Sequence, residues 1–298
     1  MQPSIFKQSP LMRLLTFALT AFAGLILCSL LAGIMTLINP SVTASSGGVR
    51  LLTVVQDVLI FIFPAVATAM LVSVRPARLL RADGGFPLMQ ALLAVAGLIV
   101  SMPAMNALVA WNESLQLPQS MAALEESLKI TEDKAKEMVE LMAGGNSPGD
   151  LIAGVLLIGI LAGLSEELFF RGTMQRIFAT LGASGQSGEP SPAAAHAAIW
   201  ATAFLFSAIH MQFYGFFPRL LLGAYFGYCL WWSRSLWIPV TVHALNNTIV
   251  VVSSWLEKRG AIHVDLNTAG SDNPVAITIS LLLLTGIVVL IHRMRKCK

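Results

Sequence analysis

Few residues in this chain are able to do chemistry, and most of them stand in apolar surroundings. Ser165-Glu166-Glu167-Leu168-Phe169-Phe170-Arg171-Gly172 lies inside an apolar run that starts near Leu151 and continues past Ile177. An ionised group at the centre of a bilayer helix costs roughly 2.5–3.5 kcal/mol on insertion scales. Two adjacent carboxylates and a guanidinium are tolerated there only where they pair or face a polar interior. Glu167 and Arg171 are four apart, share a helix face and can pair. Glu166 lies about 100° round the same helix and is left for another task. Further on, Phe206 precedes His210 by one turn, and His243 and Asn247 stand four apart on one face of a later helix. Asn246 is expected to point elsewhere.

Each of these residues alone has a structural reading. A lone histidine can hydrogen-bond a neighbouring helix, an asparagine can join two helices, and a Glu–Arg pair can be a buried bridge. Two carboxylates, two imidazoles, an amide and a guanidinium on neighbouring apolar helices need a wet cavity. The set suits water activation. Glu166 serves as general base, and His210 shares the water's proton or holds the water in line. His243 and Asn247 donate hydrogen bonds to an oxyanion as a carbonyl becomes tetrahedral. Glu167 and Arg171 hold their helix in register. This is peptide hydrolysis without a covalent nucleophile and without a cofactor. A zinc-dependent alternative would use Glu166, His210 and His243 as ligands, but neither His-x-x-x-His nor His-Glu-x-x-His spacing is present.

The elements that must position these groups cross a membrane. The chain is 56% hydrophobic and 12% charged, against about 25% charged in a soluble domain. The net charge of +3 gives no sign of nucleic-acid binding. Cys28, Cys229 and Cys297 form neither a disulfide framework nor a zinc spacing, and only Lys298 follows Cys297. Apolar runs predict eight transmembrane helices over about 14–38, 51–74, 88–111, 151–181, 193–211, 216–232, 237–255 and 274–291. The fold class is therefore an all-α polytopic membrane bundle. The first run is too long for a signal-peptide core of about 7–15 residues, although Val42-Thr43-Ala44 has the look of a cleavage site. Gly159 and Gly163, and Gly223 and Gly227, are spaced for close helix approach.

Four segments follow: residues 1–111 with the first three spans, an acidic amphipathic segment at 112–150, a core at 151–255 with spans four to seven, and a loop and last span at 256–298. The second segment holds eight of the sixteen acidic residues. Met121, Leu124, Leu128, Ala135, Met138 and Met142 make one apolar stripe along it, expected to lie on the bilayer or over the bundle. Arg75, Arg78 and Arg81, and His292-Arg293-Met294-Arg295-Lys296, place both termini in the cytoplasm. Arg219 is the exception, falling at the outer start of the sixth span. Straight helices would put His210 near the outer end of its span and His243 nearer the other end. The link His210–Pro218 is therefore expected to be irregular and to dip inward. Asp57 is given a structural role near an interface, His196 an interfacial one, and His263 a place in a loop.

Glu166-Glu167-x-x-x-Arg171, Phe206-x-x-x-His210 and His243-x-x-x-Asn247, in that order on successive helices, resemble the CPBP intramembrane protease family. That family includes the eukaryotic CAAX prenyl endopeptidases and the bacterial Abi-type proteins. The resemblance spans roughly Leu151 to Val252, and the region around Asn112-Glu113-Ser114 is similar to a bacterial branch. It implies a glutamate-dependent endopeptidase in a helical bundle of the bacterial inner membrane, acting on a membrane-associated protein or peptide. Glu166 and His210 would activate the water, His243 and Asn247 would stabilise the oxyanion, and Glu167 and Arg171 would support the site. The competing readings are a zinc metalloprotease, a non-proteolytic immunity or scaffold protein, and a transporter. A transporter would need a through-path and internal repeats, which the sequence does not show.

Overall fold

The computed structural model describes residues 8–181, 190–261 and 268–295. Lys7, most of the Gly/Ser/Pro linker between Gly182 and Pro192, His263, and Lys296 with Cys297 lie outside them. Helices α1 (Pro10–Ile38), α2 (Ser46–Val72), α3 (Leu88–Val100), α4 (Met102–Glu113) and α5 (Ala122–Ala143) come first. They are followed by α6 (Pro148–Leu181), α7 (Pro192–Ala208), α8 (Phe216–Ser233), α9 (Trp237–Lys258) and α10 (Pro274–Arg295). Ser-Pro dipeptides start three of them. The hydroxyls of Ser9, Ser147 and Ser191 accept from the N–H three residues on, and the following prolines need no donor partner.

The fold is an all-α membrane bundle, and every apolar run expected to span is helical. By length and composition, α1, α2, α6 and α10 can each cross a membrane, and α3 with α4 makes a fifth crossing if counted as one. The third span is therefore broken, with a bend of 48° between α3 and α4. Pro103, at the second position of α4, removes the N–H that would have continued the ladder. The remaining runs, α7 to α9, are short or carry the polar residues of the site. They too keep apolar side chains such as Phe204 and Val250 exposed, as α1 and α10 do with Leu19 and Leu282.

Helix α6 is the centre. It packs on α9, α7 and α2. Phe169, Phe170, Met174 and Ile177 of α6 meet Phe17 of α1, Phe61 of α2 and Phe206 of α7 in one core. A second core joins Leu98 of α3, Phe226 of α8, Val242 of α9 and Ile291 of α10. The glycine spacings do what they suggested. A Cβ on Gly163 would stand 2.9 Å from the backbone N of Ala244, so α6 and α9 touch backbone to backbone there. A Cβ on Gly223 would stand 3.3 Å from Ala203 Cα, which brings α8 onto α7.

Helix α5 lies over the bundle. Arg50 of α2 holds its end, donating from Nε to Met142 O at 2.9 Å and from Nη2 to Asp150 at 2.8 Å. The face it turns inward is not the whole expected stripe. Leu128, Ala135 and Met142 are half-buried, but Met121, Leu124 and Met138 stay exposed, and Glu132 is the buried residue of the helix. A polar partner below Glu132 explains the shift. At the other end of the bundle Arg81, Arg176 and Arg234 line one cleft.

Candidate active site

A cavity of about 290 Å³ opens between α4, α6, α7, α8 and α9, and Glu166, His210, His243 and Asn247 all line it. The residues singled out by chemistry therefore converge. Val109, Phe206, Leu222 and Phe226 supply its apolar wall, and Arg219 and Asn246 add polar groups.

Glu166 and Glu167 take different jobs, as their places round the helix require. Glu167 points into the protein and is fully buried with Arg171. Arg171 Nη1 donates to Glu167 Oε1 at 2.6 Å, and Nη2 donates to Gly223 O at 2.9 Å. The guanidinium also lies 4.4 Å from the centre of the Phe206 ring and 5.4 Å from that of Phe226, contacts that favour a cation. The pairing expected from spacing is present, but it is only half of what Glu167 does. Its Oε1 also lies 2.8 Å from His243 Nδ1. This second role was not visible in the sequence, because 76 residues separate the two.

His243 is held on every side. Its Nδ1 faces Glu167, its ring stacks on Phe226 at 4.8 Å, and Phe206 meets it edge-on at 5.9 Å. The Nε2 is left facing the cavity, 3.9 Å from Glu166 Oε2. His210 is fixed through its other nitrogen. Its Nδ1 donates to Phe206 O at 2.7 Å, one turn back, which leaves the Nε2 lone pair free. The Phe206-x-x-x-His210 spacing thus has a cause: the carbonyl sets the tautomer and the ring sets the orientation, with centroids 5.2 Å apart.

His210 comes within reach because the chain breaks where expected. Helix α7 ends at Ala208, Met211 has a φ of +55°, and a single tight turn over Phe213–Gly215 leads into α8. Asn112 of α4 pins this link from both sides. Its Nδ2 donates to Phe213 O at 3.1 Å, and its Oδ1 accepts from Phe217 N at 3.0 Å. The second bond caps an otherwise orphaned donor at the start of α8.

Asn247 donates from Nδ2 to Ile158 O of α6 at 3.0 Å. Asn246, expected to point elsewhere, instead lines the cavity and donates to Asn247 Oδ1 at 3.2 Å. The two amides share the wall. Adjacent residues on a helix can do this when the cavity is wide enough to be seen from both. Asp57, the other buried acid, is 3% exposed on a widened turn of α2 and close enough to Glu166 for their charges to interact. Sequence spacing offered no signal for it, since it comes from a helix 109 positions earlier. His196 is exposed at the start of α7, with Nδ1 2.8 Å from Tyr228 Oη.

Among the described residues, no three His, Cys, Asp or Glu side chains form a group able to hold a metal ion. Glu166, His210 and His243 share the cavity, with Glu166 Oε2 3.9 Å from His243 Nε2.

The comparisons agree with the motifs. Residues 148–249 match the family model described as Rce1-like, type II CAAX prenyl endopeptidase Rce1-like. The matched stretch carries Glu166, Glu167, Arg171, His210, His243 and Asn247, so the resemblance to CAAX proteases holds there. It does not reach the region around Asn112 that suggested a bacterial branch. No curated protein and no solved structure matches the chain.

Proposed function

We propose that this membrane protein, of CAAX-protease type over its central helices, is an intramembrane endopeptidase that hydrolyses a peptide bond by activated water. The observation that carries this reading is the one cavity lined by Glu166, His210, His243 and Asn247. Glu166 faces it, 3.9 Å from His243 Nε2, and accepts the proton of a water held between it and His210 Nε2. The water attacks the carbonyl carbon of the scissile bond. As the carbonyl oxygen takes up charge, His243 and Asn247 are placed to donate to it. Glu167 stands behind His243 and stabilises the charged imidazolium whose Nε2–H makes that bond. The proton held by Glu166 then passes to the leaving amine.

The substrate of this reading is a membrane-associated protein or peptide, reached from the bilayer around the bundle. The cleft of Arg81, Arg176 and Arg234 gathers positive charge at one end, which supports placing that end, and both termini, on the cytoplasmic side of a bacterial inner membrane. The decisive experiment compares membrane-protein termini in cells carrying the wild type and Glu166→Gln. New termini that need Glu166 and His210 support the proposal. Identical termini, together with an unchanged cellular effect of Glu166→Gln and His210→Ala, would leave a non-proteolytic role.

A further inference from the structure

Arg219 was the one arginine that fitted no topological role, and the structure shows where it went. It lies in the first turn of α8 and lines the catalytic cavity with Glu166, His210 and His243. Its guanidinium rests on Gly215, where a Cβ would come within 2.7 Å of Nη2. Nη2 donates to Gln212 Oε1 at 2.8 Å, and Gln212 Nε2 in turn donates to Glu132 Oε1 of α5 at 3.2 Å. Nη1 is buried and has no hydrogen-bond partner.

Among the described residues no carboxylate forms a direct ion pair with Arg219; Glu132, linked to it through Gln212, and Glu166 in the same cavity act on its charge from further off. A buried guanidinium N–H without a hydrogen-bond partner is costly unless something completes it, and the planar fork matches a carboxylate best. The Gln212–Glu132 relay and the bare backbone of Gly215 fix the fork in place, which lowers the entropy cost of using it. The oxyanion has its own donors in His243 and Asn247, so Arg219 is available for a group the substrate brings with it.

We infer that Arg219 is a carboxylate clamp, which binds an anionic carboxylate of the peptide substrate and so positions the scissile bond over Glu166. The inference rests on the reading of the cavity as a peptide-cleaving site. The carboxylate can be the free C-terminus of the peptide or an acidic side chain near the cleaved bond.

Purified protein is presented with matched peptides that differ only in this group: free acid against terminal amide, and internal Glu against Gln with the terminus amidated. Both cleavage and equilibrium binding are measured, for wild type, Arg219→Gln and Arg219→Lys. A charge-assisted bond of this kind predicts a preference for the anionic peptide of about tenfold to a hundredfold in kcat/KM. Arg219→Gln should bring that ratio close to one while amide peptides are still cut, and Arg219→Lys should keep part of it. Preference that follows the terminus identifies the C-terminal carboxylate, and preference that follows Glu identifies the side chain. Equal loss on acid and amide peptides, or an unaltered preference in Arg219→Gln, overturns the clamp. Binding keeps the two readings apart. If no peptide is cut, the protease reading fails, and the acid-over-amide binding ratio still decides the clamp.

Discussion

His243 Nδ1 and Arg171 Nη1 meet on a single oxygen, Oε1 of Glu167, at 2.8 Å and 2.6 Å. One carboxylate therefore joins a structural cation to a histidine of the site. In water the arrangement would contribute little, but here all three groups are buried and none can exchange its partner for solvent. Glu167→Gln keeps the shape and removes the charge. Arg171 is then buried without a counter-ion, which costs about 3–5 kcal/mol. His243 loses the group that sets its tautomer and orients its ring. The expected result is a lower thermal midpoint together with a fall in kcat larger than the change in KM, measured where the variant is still folded. A variant with reduced stability but wild-type kcat would confine Glu167 to the scaffold.

Helices α6 and α9 bring Glu166 and His243 together only because Gly163 has no side chain. The Cβ of an alanine there would already stand 2.9 Å from Ala244 N, against backbone that has nowhere to go. Gly163→Val must push the helices apart at the level of the site. Overpacking of this kind typically costs about 1–3 kcal/mol. The prediction is a loss of activity greater than that of Gly33→Val, since Gly33 has no atom within 4 Å of such a Cβ. Equal effects of the two substitutions on cleavage would refute the close-approach account.

Much of this was legible because membrane helices make polar residues conspicuous. Glu166, Glu167, Arg171, His210, His243 and Asn247 stood out against apolar runs, and glycine spacings marked contacts. What stayed hidden depends on distance across the fold. Nothing in a 3.6-residue period links Glu167 to His243, brings Asp57 near Glu166, or turns Asn246 toward the same cavity as Asn247. Arg219 was visible only as a misfit, because charge-topology rules assume that an arginine seeks an interface. Here it is drawn into the bundle by Gln212 and the bare backbone of Gly215. The bend between α3 and α4 stayed hidden because hydropathy averages the two helices into one span, although Pro103 stands at the break.

Asn112 controls the break that carries His210 into the site. Both of its amide atoms are used, one on Phe213 O and one on Phe217 N. Asn112→Ala removes both bonds, each worth about 0.5–1.5 kcal/mol as a partly buried hydrogen bond. The link 211–217 should loosen, which hydrogen exchange reports as lost protection at the Phe217 amide, and cleavage should fall because His210 is no longer held. Asn112→Asp can still accept from Phe217 N but cannot donate to Phe213 O, so it should retain that protection in part. Full protection of Phe217 in Asn112→Ala would remove Asn112 from this role.

Water activated by Glu166 and water activated by a metal are separated by experiment. Glu166 Oε2 and His243 Nε2 are 3.9 Å apart, His243 Nδ1 is bonded to Glu167, and His210 Nδ1 is bonded to Phe206 O. These bonds set the two rings for either chemistry, and the proposed reading is the one that needs no metal. Extensive dialysis against a strong chelator should leave kcat/KM unchanged, and zinc analysis of the dialysed, active protein should find less than one equivalent. Glu166→Gln should lower kcat by about a hundredfold to ten-thousandfold, the range of a positioned general base, with a smaller change in thermal midpoint than Glu167→Gln, because Glu166 faces the cavity whereas Glu167 is paired to Arg171. Activity that vanishes on dialysis and returns with zinc would transfer the chemistry to a metal held by Glu166, His210 and His243.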